Sequence, residues 1–215
     1  MDDKQKKPGI LCMFSGGLDS TAVLHKLITE EKYRDYELNV HHIHMINREK
    51  RARAEMIAVK NILNYYVENY NVPFVYSQCV FNSNGFDALQ TKRFPFDVDV
   101  CSFVAGNVCT SHGNIKIVTR GRTKTDLENR TDSVEEQHLK TYGIFEVVLQ
   151  LAKMEKPEYL YPVMDLTKEE IWNLLPDQVR KMAWWCRRPV YLDEDRPQAC
   201  NKCKPCLDMA KIGIL

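Results

Sequence analysis

A wholly apolar run leads directly into a Gly-Gly turn and then into a helical pattern, and this order restricts the chain to few folds. The run is Gly9–Phe14, and Ser15-Gly16-Gly17-Leu18-Asp19-Ser20 follows it. Such a short apolar run is typical of a strand buried on both faces of a parallel sheet. Asp19 to Thr29 then has the spacing of a helix with one apolar side. We therefore expect a strand, a tight turn and a helix.

Strand-like and helix-like segments alternate beyond this unit. The strand-like segments are Glu37 to Ile46, Phe74 to Phe81 and Ile115 to Thr119, and the helix-like segments are Glu49 to Tyr70 and Asp97 to Thr110. Alternation of this kind predicts βαβ units, and hence an α/β fold with a doubly wound parallel sheet. Thr167 and Glu170 have the spacing of a capping box at the start of another helix.

The pattern changes near Lys181, where Cys, Arg, Pro and Asp become frequent. We therefore predict an α/β domain of residues 1–181 and a small cysteine-containing segment of residues 182–215.

The Gly-Gly turn is suited to phosphate. An open parallel sheet binds its ligands beyond the carboxyl ends of the strands, which is where this turn lies. Gly16 and Gly17 let backbone N–H groups approach phosphate oxygens, and the following helix directs its positive end at the same anion. Hydroxyl groups can add donors, and the Asp19 carboxylate suits Mg²⁺. The alternative is a junction in which the glycines only permit the turn.

Ser15-Gly16-Gly17-Leu18-Asp19-Ser20 resembles the PP-loop of the N-type ATP pyrophosphatases, which have an adenine nucleotide alpha hydrolase-like fold. The resemblance implies an enzyme that binds ATP with Mg²⁺, releases pyrophosphate and leaves an adenylated intermediate. It assigns ATP to a phosphate loop made of Ser15, Gly16, Gly17, Leu18, Asp19, Ser20 and Thr21. Asp19 is expected to hold the Mg²⁺ ion and is assigned a catalytic role.

Overall composition excludes some classes of protein. Lys and Arg total 30 against 29 for Asp and Glu, a net charge of +1, whereas nucleic-acid binders usually have a basic excess. The run Arg48–Arg53 is basic, and its ordinary interpretation is the exposed first turns of a helix. No stretch approaches the ~20 apolar residues of a membrane helix, and no signal sequence is recognisable. We expect a cytoplasmic protein without a membrane partner.

Four of the eight cysteines are close together in the sequence, at Cys186, Cys200, Cys203 and Cys206. In a cytoplasmic chain such clusters favour metal over disulfides. Four thiolates can close a tetrahedron around Zn²⁺, and an iron–sulfur cluster or buried free thiols are the alternatives. Because lysines and a proline separate the cysteines, a buried strand is unsuited to them. We predict a structural zinc knuckle, closed and without a chemical role.

The phosphate loop and the four cysteines together resemble the 7-cyano-7-deazaguanine synthase family of the queuosine pathway. Two further segments agree with it: Arg51-Ala52-Arg53-Ala54-Glu55, and the run from Tyr161 to Trp172, which makes Lys168 a catalytic, phosphate-binding candidate. An exposed first-turn lysine is the alternative for Lys168. The resemblance implies a ligase that adenylates a carboxylate, 7-carboxy-7-deazaguanine, and converts it with ammonia to an amide and then a nitrile. It also implies a homodimer.

The middle of the chain departs from that family. Phe94–Asp99 and Arg120–Arg130 stand where the family usually has Val-Pro-Gly-Arg-Asn and Tyr-Pro-Asp-Cys-Arg. Guanidinium groups here suit a carboxylate or phosphate, although an exposed loop is the alternative. We assign the second substrate to Arg51, Arg120, Arg122 and Asp126.

The sequence leaves two other functions open. One is a PP-loop enzyme that adenylates a different acceptor, such as a modified nucleobase, a tRNA base or a protein C-terminus. The other is a non-catalytic module that binds ATP or nucleic acid.

Overall fold

The computed structural model describes residues 7–85, 97–128, 134–193 and 196–214, with backbone alone at 134, 135 and 137–141. Within them an open sheet of parallel strands has the order β3-β2-β1-β4-β5. The strands are β1 Gly9–Met13, β2 Glu37–Ile46, β3 Phe74–Asn82, β4 Ile115–Thr119 and β5 Glu158–Leu160. The direction of winding reverses between β1 and β4, and open α/β sheets bind their ligands at such a switch point.

The helices and the remaining short elements follow one another along the described chain. The helices are α1 Leu18–Thr29, α2 Ala52–Asn69, α3 Asp97–His112, α4 Lys124–Glu128, α5 Val134–Leu151, α6 Lys168–Leu174, α7 Asp177–Met182 and α8 Lys204–Lys211. A 3₁₀ turn covers Glu31–Tyr33, and an antiparallel pair of strands, β6 Val190–Tyr191 and β7 Pro197–Gln198, lies before α8.

Alternation along β1 divides the core between the two faces of the sheet. Ile10 and Cys12 are buried with residues of α1 and α2, whereas Leu11 and Met13 are buried with residues of α3 and α5. A strand that is buried on both faces has a continuous apolar sequence, as Gly9–Phe14 does. The predicted doubly wound α/β sheet is confirmed.

The start of α2 differs from the sequence prediction. The helix begins at Ala52 and not at Glu49, because Lys50 has a φ of 55°, which a right-handed helix does not accommodate. Residues 48–50 instead form a turn, in which the Glu49 N–H donates to Asn47 Oδ1 at 2.9 Å. The predicted exposure holds for Arg48 and Lys50, but the Arg51 side chain is only 13% exposed.

The capping box at α6 is confirmed. The Glu170 N–H donates to Thr167 Oγ1 at 3.2 Å, and the Thr167 N–H donates to Glu170 Oε2 at 2.7 Å. Both bonds satisfy N–H groups that the helix leaves without a partner, so α6 starts at Lys168.

The segment of residues 182–215 packs on the sheet-and-helix core. Met209 is 2% exposed and belongs to the same buried cluster as α1 and α2, and Trp184, Trp185 and Ile212 pack against that cluster. A boundary near residue 181 stays a prediction. Among the described helices, none combines the length and apolar character needed to cross a membrane.

Candidate functional site

A cavity of about 540 Å³ opens at the carboxyl ends of β1 and β4, where the switch point of the sheet lies. Its walls come from the phosphate loop, from the residues that follow β4, from the start of α3 and from α8. Elements from both ends of the described chain therefore meet around one space.

The phosphate loop requires glycine at residue 16. Gly16 has a φ of 73°, and a Cβ there would lie 3.0 Å from Glu55 O and from Val59 N. The Thr21 hydroxyl donates to Gly17 O at 2.8 Å and the Ser20 hydroxyl to the same oxygen at 3.1 Å. The loop is thus held by its own hydroxyl groups.

Most of the residues assigned to the phosphate loop reach the cavity. Those that line it are Ser15, Gly17, Leu18, Asp19 and Ser20. Thr21 is fully buried, and neither it nor Gly16 is among the lining residues. Gly16 and Thr21 therefore shape the loop without facing the cavity.

Lys168 and Asp19 form a close ion pair in the cavity wall. Lys168 Nζ lies 2.5 Å from both Asp19 carboxylate oxygens and 3.6 Å from Asp126 Oδ2. Burial alone would lower the pKa of Lys168, but the two carboxylates outweigh it and raise that pKa. The sequence left open whether Lys168 binds phosphate or is exposed in the first turn of a helix. In the structure its side chain is 16% exposed, and it provides a fixed positive charge beside the phosphate loop.

Asp126 has a second set of partners. Its Oδ2 accepts from the Thr123 N–H at 3.1 Å and from the Thr123 hydroxyl at 2.8 Å. Despite burial, Lys168 and these hydrogen bonds lower the pKa of Asp126, so its carboxylate stays charged. Asp126 therefore lies with Lys168 and Asp19, on the phosphate side of the cavity.

Arg51 is surrounded by carboxylates. Its Nη2 donates to Asp97 Oδ2, and its Nε lies 3.1 Å from Glu49 Oε2 and 3.3 Å from Glu55 Oε1. These two ion pairs are not hydrogen bonds, because the Nε–H points at neither oxygen. The Arg51 guanidinium, which the sequence assigned to a substrate, therefore already links the start of α2 to the start of α3.

Arg120 has a different environment. It follows β4 and lines the cavity, and its Nη1 donates to the Val98 carbonyl at 3.3 Å. Burial lowers the pKa of Arg120, but Cys101, Tyr159 and Tyr161 outweigh this effect and raise it. No described carboxylate forms an ion pair with Arg120. A partly buried guanidinium in such surroundings is suited to an incoming anion.

The rest of the Arg120–Arg130 segment is only partly described. Arg122 also lines the cavity and lies over the Tyr161 ring, 5.8 Å from its centre. Arg130 and the Phe94–Phe96 part of the other divergent segment fall outside the described residues.

Gly121 brings the end of β4 against the phosphate loop. A Cβ on this residue would lie 2.7 Å from Ser20 N and 2.8 Å from the Asp19 carbonyl carbon. Both are backbone atoms, so any side chain at 121 would push the two segments apart. In the sequence, the signal for this contact is the glycine between Arg120 and Arg122.

The four predicted cysteines come together. The Sγ atoms of Cys186, Cys200, Cys203 and Cys206 all lie within 4.8 Å of one another. Backbone N–H groups donate to several of them, for example Cys200 N to Cys186 Sγ at 3.2 Å and Cys203 N to Cys200 Sγ at 3.3 Å. Donors aimed at sulfur favour the thiolate form, which is the form that binds a metal.

The cysteine cluster is connected to the phosphate loop through Trp184. The Trp184 backbone N–H donates to Gly16 O at 2.8 Å, and its indole donates to the Cys186 carbonyl at 2.7 Å. On the far side of the cluster, Lys204, Pro205, Asp208 and Met209 of α8 line the cavity. The cluster therefore supports two walls of the site.

Comparison with known families agrees with this geometry. The model of the family described as queuosine biosynthesis protein QueC matches residues 103–211, which is just over half of the 215 residues. The chain belongs to the QueC family. Membership makes it one of the ATP-dependent PP-loop enzymes, in accord with the phosphate loop and the switch-point cavity.

Two further comparisons were with solved structures and with curated proteins. Among solved structures, the U34-tRNA thiolase NcsA from Methanococcus maripaludis, with its [4Fe-4S] cluster, has a TM-score of 0.48 and 15% sequence identity. The match covers 99% of this chain and 66% of NcsA, so this QueC-family chain spans about two thirds of that protein. A search of curated proteins found no match.

Proposed function

We propose that this QueC-family chain uses ATP to adenylate a small carboxylate and then replaces AMP with ammonia, as a 7-cyano-7-deazaguanine synthase does. The carboxylate oxygen attacks the α-phosphate and pyrophosphate leaves. Ammonia then displaces AMP and forms the amide, which a second ATP dehydrates to the nitrile. Holding both reactants in one cavity supplies much of the rate.

One observation carries this proposal. The phosphate loop and Lys168 lie in one part of the cavity wall, and Arg120, which forms no ion pair with a described carboxylate, lies in another. ATP phosphates suit the first group, because backbone N–H groups and an ammonium converge there. An acceptor carboxylate suits the second, because a guanidinium can bind both of its oxygens.

The residues present fit a magnesium ion. Asp19 and Asp126 supply carboxylate oxygens, the ligands that Mg²⁺ prefers, next to the phosphate loop. Bound Mg²⁺ would supply charge neutralisation on the departing pyrophosphate. Lys168 holds the two carboxylates together and provides a second positive charge for the phosphates.

The cysteine cluster fits a single zinc ion. Four thiolates at Zn–S bonds of about 2.3 Å lie about 3.8 Å apart in a tetrahedron. Cys203 Sγ lies 3.4 Å from Cys206 Sγ and 3.9 Å from Cys186 Sγ. In a four-iron cluster each thiolate binds its own iron, which requires a wider spacing. We therefore propose structural zinc at Cys186, Cys200, Cys203 and Cys206.

The test is pyrophosphate release with MgATP, ammonium and 7-carboxy-7-deazaguanine, with the product identified by mass spectrometry. We expect pyrophosphate together with the amide or nitrile. Pyrophosphate without either product would overturn the deazaguanine acceptor and keep adenylation. No pyrophosphate from metal-loaded protein would overturn this reaction.

A further inference from the structure

Glu55 lies in the cavity wall directly against the phosphate loop. Its side chain is 10% exposed. A Cβ at Gly16 would lie 3.0 Å from its backbone carbonyl oxygen. It is therefore close to the site where the adenylate forms, although none of the sequence motifs assigned it a role.

Other carboxylates of the cavity are already engaged. Asp19 accepts hydrogen bonds from Lys168 at both oxygens, Asp126 accepts two from Thr123, and Asp97 accepts one from Arg51. Asp208 of α8 is paired with Lys211 at 3.5 Å. Glu55 differs from the first three, because the nearby Arg51 Nε–H does not point at it. Within the described part of the chain, its carboxylate can accept a proton without losing a hydrogen-bonded partner.

The charge around Glu55 favours a cation. Arg51 is close to three carboxylates, those of Glu49, Glu55 and Asp97, so the group has more negative than positive charge. Arg187, 3.7 Å from Glu49, offsets part of this negative charge at both Glu49 and Glu55. A small cation that entered the cavity would meet the remaining negative charge at Glu55.

We propose that Glu55 binds the ammonium ion and removes its proton, which makes Glu55 a catalytic residue of the amidation step. This role rests on the proposed function, since it requires an adenylated acceptor in the same cavity.

The proposed step balances in atoms and charge. Glu55 takes one proton from NH₄⁺ and becomes the neutral acid, leaving NH₃. The ammonia nitrogen forms a bond to the acyl carbon, and the carbon–oxygen bond to AMP breaks with its electron pair on the phosphate oxygen. The surplus proton on nitrogen and the proton on Glu55 then pass to solvent, which restores the carboxylate.

The acidity of Glu55 suits this exchange at neutral pH. Burial raises the pKa of Glu55 to about 7, with a smaller rise from Asp97 and Glu49, against the opposing effects of Arg51 and Arg187. A base is most effective when its pKa is near the working pH. Amidation from ammonium should therefore increase with pH through about 7 and level off once Glu55 is ionised.

The test compares two nucleophiles in wild type and Glu55→Gln. Hydroxylamine is uncharged at neutral pH and needs no proton removed before it attacks. We expect Glu55→Gln to lower kcat/KM for ammonium by at least ~100-fold, since general bases contribute about that much, and to keep hydroxamate formation. Acceptor-dependent exchange of pyrophosphate into ATP should also be kept, and Glu55→Asp should recover part of the ammonium rate.

Glu49→Gln is the matched control. Glu49 is as near to Arg51 Nε as Glu55 is, at 3.1 Å, but it does not line the cavity. We expect Glu49→Gln to lower the ammonium rate far less than Glu55→Gln, because Glu49 adds negative charge near Arg51 but does not reach the cavity. Equal losses with Glu49→Gln and Glu55→Gln, or with ammonium and hydroxylamine, would overturn the role of Glu55.

A wild-type measurement covers the case in which Glu55→Gln does not fold. A wild-type rate that follows only the free ammonia in solution, without levelling off above pH ~7, would exclude a base on the protein. If the wild-type protein did not exchange pyrophosphate into ATP, both the proposed function and the role of Glu55 would be overturned. If exchange occurred and Glu55→Gln used ammonium normally, only the role of Glu55 would be overturned.

Discussion

At the scale of single residues, the Asp19–Lys168 pair sets the charge of the phosphate site. Both oxygens of Asp19 accept from one ammonium at 2.5 Å, and Asp126 adds a second carboxylate 3.6 Å away. Two carboxylates and one ammonium leave one negative charge, which a divalent cation would reverse. The arrangement is suited to bind a metal ion before or together with ATP.

Asp19→Asn tests this arrangement with little change in shape. We expect pyrophosphate release to fall by at least ~100-fold, because the metal loses a charged ligand and Lys168 loses its partner. Asp177→Asn is the control, since Asp177 pairs on the surface with Arg180 and Lys181. Turnover near the wild-type level in Asp19→Asn would exclude Asp19 as a metal ligand.

Arg120→Lys tests recognition of the acceptor. Lysine keeps the positive charge but lacks the planar pair of donors, so KM for the carboxylate should rise roughly 10- to 100-fold, the loss of a charged hydrogen bond. KM for ATP should change little. Steady-state kinetics with each substrate varied in turn separates the two, and a rise in the KM of ATP alone would place Arg120 at the nucleotide.

At the scale of secondary-structure elements, the end of β4 and the phosphate loop are in direct backbone contact at Gly121. In Gly121→Ala the new Cβ would lie 2.7 Å from Ser20 N, so one segment must move. We expect a loss of about 1–3 kcal/mol in unfolding free energy and a higher KM for ATP. Chemical denaturation and kinetics measure these two effects.

Gly143→Ala is the control for Gly121→Ala. Gly143 lies within α5, and an added Cβ meets nothing within 4 Å. Alanine there should stabilise the helix by up to ~1 kcal/mol. Equal behaviour of the two variants would contradict the close contact at Gly121.

The cysteine cluster should affect ATP binding without touching ATP. Removal of the metal frees Cys186, two residues from the Trp184 N–H that holds Gly16 O. We expect a chelator, or Cys203→Ser, to raise the Kd of ATP about tenfold, the equivalent of one well-placed hydrogen bond. Calorimetry measures this, and re-added zinc should reverse the chelator's effect. Unchanged ATP affinity in the metal-free protein, or an equal effect of Cys79→Ser, would disprove the connection.

Local patterns could predict the four long strands of the sheet and about half of the described helices, but not α4, α5, α7 or α8, nor the contacts between the elements. β1 to β4 and α1 to α3 follow from apolar runs and helical spacing, and α6 follows from its capping box. β5 has only three residues, too few for a periodic signal, and α2 starts late because of one backbone angle at Lys50.

The site was predictable to the extent that its residues stand in motifs. The phosphate loop and the four cysteines carry their own spacing, so their grouping was visible in the sequence. The environment of Glu55, the carboxylates around Arg51 and the role of Gly121 depend on which segments the fold brings together. No spacing along the chain encodes those neighbours.

At the scale of the whole molecule, the core joins the regions on both sides of residue 181. Met209, Trp184 and Ile212 pack with the helices of the first half of the chain. A chain that ends at residue 181 should therefore lose at least ~3 kcal/mol of unfolding free energy, because buried side chains are removed and their places left open. Chemical denaturation followed by fluorescence measures this, and equal stability of the shortened chain would establish a separate domain boundary near residue 181.

The contact between Trp184 and Gly16 also bears on how the protein is made. A ribosome produces the phosphate loop long before the donor to Gly16 O and the α8 wall of the cavity, which lie far behind it in the sequence. The nascent chain therefore lacks a finished nucleotide site until α8 has been synthesised. ATP, abundant in the cell, can stabilise the native fold only once translation has passed α8.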